Sequence, residues 1–188
     1  MRKLILIKHA SPLVVPDTPP QKWTLSDKGR KSCGPLADAL RPHAPAIIVA
    51  SEEPKATETA EIVAQARGVP VETAPGLHEH DRTNVPHMRS GEFISHMEVF
   101  FRKPTERVLG RESAVAALDR FEQAVRDVVA KHADGNIAIV SHGTVIALLA
   151  AEHSERYGFE LWREMGLPSF AVFELPGFKL SEVIAKVA

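Results

Sequence analysis

Leu4-Ile5-Leu6-Ile7 is an unbroken aliphatic run that stops abruptly at Lys8-His9-Ala10-Ser11-Pro12. Four aliphatic residues bounded by polar ones read as a short strand covered on both faces, which is the strand of a parallel sheet flanked by helices. Asn136-Ile137-Ala138-Ile139-Val140-Ser141-His142-Gly143-Thr144 repeats the design, a buried strand running into a histidine and then a helix. In open α/β sheets ligands bind outside the carboxyl ends of the strands. Two strands that each deliver a histidine to one edge therefore bring both imidazoles to one site, and packing is a poor explanation for either ring there.

The rest of the chain alternates in the same way. Residues 11–22, rich in proline, are too broken for regular structure. A helix is expected from about Leu25 to Leu40 with Ser26 as its N-cap, closed by Pro42 and Pro45. Ala46–Ala50 reads as a second buried strand and Pro54 to about Arg67 as a helix closed by Gly68, with Pro54 suited to its first turn. Val69–Thr73 is a short strand placed near a sheet edge by Pro70. The stretch 76–111 is the least regular. It holds a helix from Ser90 to Phe101 carrying Phe93, Met97, Phe100 and Phe101, and reads either as a substrate lid or as aromatics packing an insertion onto the domain. Helices over 112–132, 144–153 and 155–165, a strand at 170–175 and an antiparallel tail complete the series. The fold expected is α/β: a three-layer α/β/α sandwich with a mostly parallel central sheet, one domain over 1–188, and a small helical and loop insertion at about 76–111 as lid.

Composition narrows the function. A net charge of -1 lacks the basic excess of a nucleic-acid or acidic-membrane binder, and no apolar run approaches the ~20 residues of a membrane span. One cysteine, Cys33, leaves no internal disulfide and no cysteine metal cluster. A soluble cytoplasmic protein is expected, with no nucleic-acid or membrane partner; a homodimer is left open.

Two histidines at strand ends, a carboxylate nearby and several cations suit phosphoryl transfer through a phosphohistidine. The nucleophile must be a neutral imidazole with a bare ring nitrogen, which His9 is placed to be. The departing alcohol needs a proton from a carboxylic acid of raised pKa, a part that falls to Glu79. Lys8, Lys55, His142 and the N–H groups at Gly143 can hold the phosphoryl oxygens, with Ser11 beside them. His78 and Arg82 are added as pocket residues. No cofactor is called for.

These residues carry a resemblance. The chain is similar to the histidine phosphatase, or phosphoglycerate mutase-like, superfamily. The family's Arg-His-Gly stands here as Lys8-His9-Ala10, and Leu-Ser-x-x-Gly as Leu25-Ser26-Asp27-Lys28-Gly29. Ser-x-x-x-Arg-Ala-x-x-Thr-Ala stands as Ser51-Glu52-Glu53-Pro54-Lys55-Ala56-Thr57-Glu58-Thr59-Ala60, and Leu-x-Glu as Leu77-His78-Glu79. Gly110-Arg111-Glu112-Ser113 and Ser141-His142-Gly143 follow in the family's order. The resemblance implies that His9 is phosphorylated, Glu79 donates the proton and His142 binds the phosphate. The implied activity is that of a small phosphatase, metal-independent, acting on a small phosphate ester.

Both family arginines are lysine here and the glycine after the nucleophile is Ala10. A guanidinium grips two oxygens in fixed geometry, whereas an ammonium is a mobile point charge. The site is then a differently tuned phosphatase, or it has drifted to binding a phospho-ligand or phosphoprotein. Arg82 or Arg89 could replace a lost guanidinium. A phosphomutase is a third option, disfavoured by the shortness of the insertion and its few arginines. A metal site at His78-Glu79-His80-Asp81, with His87 and His96 downstream, is the rival chemistry. Asp81 comes one residue early for the metallohydrolase pattern and Arg82 follows it, so no metal is expected and His80, His87 and His96 read as solvated. His43, His132 and His153 sit near helix ends and need no function.

Overall fold

The structure is a computed structural model that describes residues 1–86 and 88–187. Six strands form one sheet: β1 (Lys3–Lys8), β2 (Pro45–Ala50), β3 (Val71–Thr73), β4 (Asn136–Ser141), β5 (Ser169–Glu174) and β6 (Lys179–Ile184). Their order across the sheet is β3-β2-β4-β1-β5-β6. β3, β2, β4 and β1 pair in parallel, while β5 runs antiparallel to β1 and to β6. The expected α/β architecture is the one found, with β3 at an edge and the tail strand antiparallel.

Period-two alternation explains the layers. Leu4 and Leu6 of β1, with Ile137 and Ile139 of β4, face one core; Ile5 and Ile7, with Ala138 and Val140, face the other. On the second face lie α1 (Asp27–Ala39) and α2 (Pro54–Arg67), through Cys33, Leu36, Ala56, Ala60 and Val63. On the first lie α3 (Ser90–Arg102), α4 (Ala114–Lys131), α5 (Gly143–Glu152) and α6 (Gly158–Glu164).

Helix ends fall where the local chemistry puts them. Ser26 accepts from the N–H of Gly29, capping α1, and Gly68 closes α2 at φ +65°. Gly29 also has a tertiary reason: a Cβ there would lie 2.1 Å from the Ser11 carbonyl oxygen, so only glycine lets the segment after His9 cross α1. That carbonyl accepts from both the N–H and the hydroxyl of Ser26. Within 11–22 there is slightly more order than expected, because Pro20–Lys22 form a 3₁₀ turn and Pro12 bridges to Leu25.

The stretch 76–111 resolves toward packing. Met97, Phe100 and Phe101 of α3 are buried in the first core, where Phe101 meets Phe159 of α6. α3 is therefore a wall built on the core, and of its aromatics Phe93 keeps partial exposure. His80 corrects another expectation. It is buried, not solvated, because its ring lies on Phe100 and its Nε2 meets the Glu112 carbonyl oxygen at 3.0 Å. His87 lies outside the described residues. Among the described residues no helix is long and apolar enough to cross a membrane.

Candidate active site

Register alone brings the histidines together. Lys8 of β1 pairs with Ser141 of β4, so the next residue of each strand is a histidine at the same height on the same edge. The His9 N–H donates to the Ser141 carbonyl at 3.0 Å, and the rings of His9 and His142 meet edge-on with centroids 5.2 Å apart. One strand further, Ser51 leaves β2 with its N–H on the Val140 carbonyl, and its Oγ lies 2.9 Å from His142 Nε2. Three neighbouring strand ends thus supply His9, His142 and Ser51.

The turn after His9 is pinned by α2. The Ala10 N–H donates to Thr59 Oγ1 at 3.1 Å, and that hydroxyl donates to the Lys55 carbonyl. His9 Nδ1 lies 2.8 Å from the Ala10 carbonyl oxygen. Since a carbonyl can only accept, Nδ1 carries the proton and Nε2 is bare. Burial is the main cause that drives the His9 pKa down to about 3; the charges of Lys55 and Lys8 push the same way against Ala10 and Glu79. His142 is fully buried and its pKa falls well below 6.5, by burial first and then through His9 and Lys55.

A parallel construction holds the acid segment. Ser141 Oγ donates to the Leu77 carbonyl at 2.7 Å, and Arg120 of α4 donates to the carbonyls of Gly76, His78 and Glu79. Arg120 also pairs with Glu112, whose carboxylate accepts from the Asp81 N–H. Glu79 Oε2 accepts from the Thr144 N–H at 3.2 Å, in the first turn of α5, and Oε1 from the His80 N–H. A raised pKa was the expectation for Glu79, and the structure reverses it. Burial pushes the carboxyl up, but Arg82 and the two N–H donors together outweigh it and hold it below 4.5. Glu79 is a carboxylate in the unliganded protein.

The charges of both lysines act on His9, and neither ammonium is the mobile one expected, because each is held by hydrogen bonds. Lys8 Nζ donates to the Met165 carbonyl at 2.7 Å and its stem lies over Gly143, where a Cβ would meet Lys8 Cε at 2.9 Å. Lys55 Nζ donates to the Pro20 carbonyl at 2.7 Å and to Glu53 Oε2 at 2.5 Å. Of the two arginines considered, Arg82 is the one turned to the site. Its guanidinium lies 3.7 Å from Glu79 Oε2 and 3.3 Å from Thr144 Oγ1, over the ring of Phe93. Arg89 is exposed at the start of α3. His78 is half-buried, its pKa lowered by burial and then by Arg120. Ser11 contributes its carbonyl to the scaffold, as described. Among the described residues no group of three or more His, Cys, Asp and Glu side chains could hold a metal ion.

Sequence reasoning missed Ser51, Thr144 and above all Glu53. This last carboxylate reaches Lys55, the Glu79 N–H at 3.1 Å and His142 Nε2 at 3.6 Å. The visible signal is an acid two residues before Lys55, on the same short turn.

The chain matches the histidine phosphatase superfamily (branch 1) over residues 15–177. It belongs to that superfamily. The matched span begins after His9, so the placement of His9 rests on the sheet register. The chain is similar to the glucosyl-3-phosphoglycerate phosphatase of Mycolicibacterium vanbaalenii, at 27% identity over 171 residues covering 80% of this chain and 73% of that one. Its fold is that of Bacillus stearothermophilus YhfR (TM-score 0.78, 23% identity, 98% of this chain and 96% of that one). Mycobacterial glucosyl-3-phosphoglycerate phosphatase shares it too (TM-score 0.79, 20% identity, 100% of both chains).

Burying two neutral histidines has a price in acid. Each has a folded pKa below its unfolded 6.5, so under pH 6.5 the unfolded chain binds protons that the folded protein refuses. Stability is whole above that pH and falls as pH drops, by roughly 3 kcal/mol per unit from these two rings once both are engaged. His43, His78 and His80, also lowered chiefly by burial, add to the fall. Urea unfolding at pH 7.0 and 5.5 should show this fall before the carboxylates begin to titrate. Equal unfolding free energies at the two pH values would contradict the burial of both rings as neutral groups.

Proposed function

We propose that this protein, a phosphatase of the histidine phosphatase superfamily acting on small phosphorylated metabolites, turns over through a phosphohistidine at His9. The observation that carries this reading is the state of His9. It is neutral, its Nδ1–H donates to the Ala10 carbonyl, and its Nε2 is bare. The ring of His142 lies beside it, and the charges of Lys55 and Lys8 are near enough to act on it.

In this mechanism Nε2 attacks phosphorus in line, the N–P bond forms and the bond to the leaving oxygen breaks. Lys8, Lys55 and the N-terminus of α5 balance the charge on the phosphoryl oxygens, neutral His142 offers a ring N–H as a hydrogen-bond donor, and Arg82 adds the guanidinium that the two usual positions lack. Glu79 begins as a carboxylate. A phosphate dianion beside it raises its pKa, and an ester arriving as its monoanion brings the proton that Glu79 passes to the leaving oxygen. Glu79 then takes a proton from water, which attacks the phosphohistidine and frees His9. Arg82 on Phe93, with Trp162 edge-on to that ring, lines the side where the rest of the ester lies. Such a wall suits a sugar or carboxylated phosphate, and the activity named for the Mycolicibacterium relative belongs to that class. The cytoplasm is the assumed compartment, with Cys33 a buried thiol whose pKa burial, then Glu58, pushes up to about 11.

The test is a panel of sugar phosphates, phosphoglycerate-type esters and phosphoserine, run with and without a chelator. Phosphate release that the chelator leaves unchanged, with an acid-labile and base-stable phosphate on quenched protein, is the expected result. Turnover of none of the esters with no phosphoprotein formed would overturn it.

A further inference from the structure

The geometry points to Glu53 as a positioning residue that fixes the Lys55 ammonium where the family's arginine would present a rigid fork, an inference that rests on the phosphatase reading above. An ammonium has three N–H donors. Lys55 spends one on Glu53 Oε2 at 2.5 Å and one on the Pro20 carbonyl at 2.7 Å, so the direction of the third is set. Both partners are needed to remove the freedom of a four-carbon stem.

The other oxygen of Glu53 extends the effect. Oε1 accepts from the Glu79 N–H at 3.1 Å and faces His142 Nε2 at 3.6 Å. One carboxylate, itself 9% exposed, thereby ties the cation of α2 to the acid segment and to the second histidine. Its two oxygens are occupied by these groups, which makes it a strut of the anion site. The opposite account treats Glu53 as a quencher that cancels a cation the phosphate needs. The two accounts differ in sign: removing a strut weakens phosphate binding, whereas removing a quencher adds net positive charge and strengthens it.

The experiment measures kcat, KM and inorganic phosphate binding for the wild type, Glu53→Gln, Glu53→Leu, and Glu53→Leu with Lys55→Arg. Glu53→Gln should lower kcat by about tenfold to 100-fold with a smaller change in KM and should weaken phosphate binding. The double variant, whose guanidinium needs no anchor, should recover at least about tenfold over Glu53→Leu alone. Glu53→Gln equal to or better than wild type, or a double variant no better than Glu53→Leu, overturns the inference. A wild type that binds phosphate without turning over any ester would count against the phosphatase reading, and the phosphate-binding series would still decide the role of Glu53.

Discussion

Replacing His9 by asparagine should lower phosphate-ester hydrolysis by on the order of 10⁴-fold or more and leave no acid-labile phosphate on the protein. Asparagine fills much of the same space and keeps a polar edge for the Ala10 carbonyl, but it has no nitrogen lone pair free to bond phosphorus. Among the described residues the neighbouring histidine is not placed to rescue the step. His142 is fully buried and its Nε2 is turned to Ser51. The substitution also removes a buried group that must stay neutral, so the variant should lose less stability than wild type between pH 6.5 and 5.5. That second readout separates lost chemistry from lost structure. A variant that folds, resists acid better and still hydrolyses esters at the wild-type rate would remove His9 from the reaction.

Glu79→Gln should have an effect that depends on the ester. For an alkyl or sugar phosphate, whose leaving oxygen must be protonated, the loss should be about 10²–10⁴-fold. For p-nitrophenyl phosphate the departing phenolate needs no proton, so the first burst of nitrophenol should stay within about tenfold of wild type. The steady state should still collapse, because water attacking the phosphohistidine has lost its base. Glutamine keeps one acceptor oxygen, enough for the Thr144 or the His80 N–H but not for both, while Arg120 still holds the carbonyls of the segment. Equal losses in the burst for both esters would show that Glu79 acts on something other than the leaving group.

The strand-to-histidine transitions and the boundaries of α1 and α2 are legible in the chain because each rests on a local rule: a short aliphatic run, a serine cap, a proline in the first turn, a glycine after the last. The convergence of His9 and His142 follows from parallel pairing and needs no side-chain detail. What was not legible depends on partners distant in sequence. His80 looks solvated until Phe100 and the Glu112 carbonyl enclose it, from twenty and thirty-two residues downstream. The lowered pKa of Glu79 depends on the direction of Arg82, which Met97, Thr144 and Phe93 fix from other elements. Glu53 was hidden differently. Its partner Lys55 is two residues away, but the reason for the pairing lies in the His142 ring and the Glu79 amide that share the same carboxylate.

The Lys8–Ser141 register has a consequence for how such a protein can change. His9, His142 and Ser51 hang from three adjacent strands, so their spacing is inherited from the sheet and shifts only if backbone pairing is broken. Phe93 and Trp162 stand on helices outside that lattice. In the proposed reaction, rebuilding those helices would change which ester is held while the strand-borne groups kept their places.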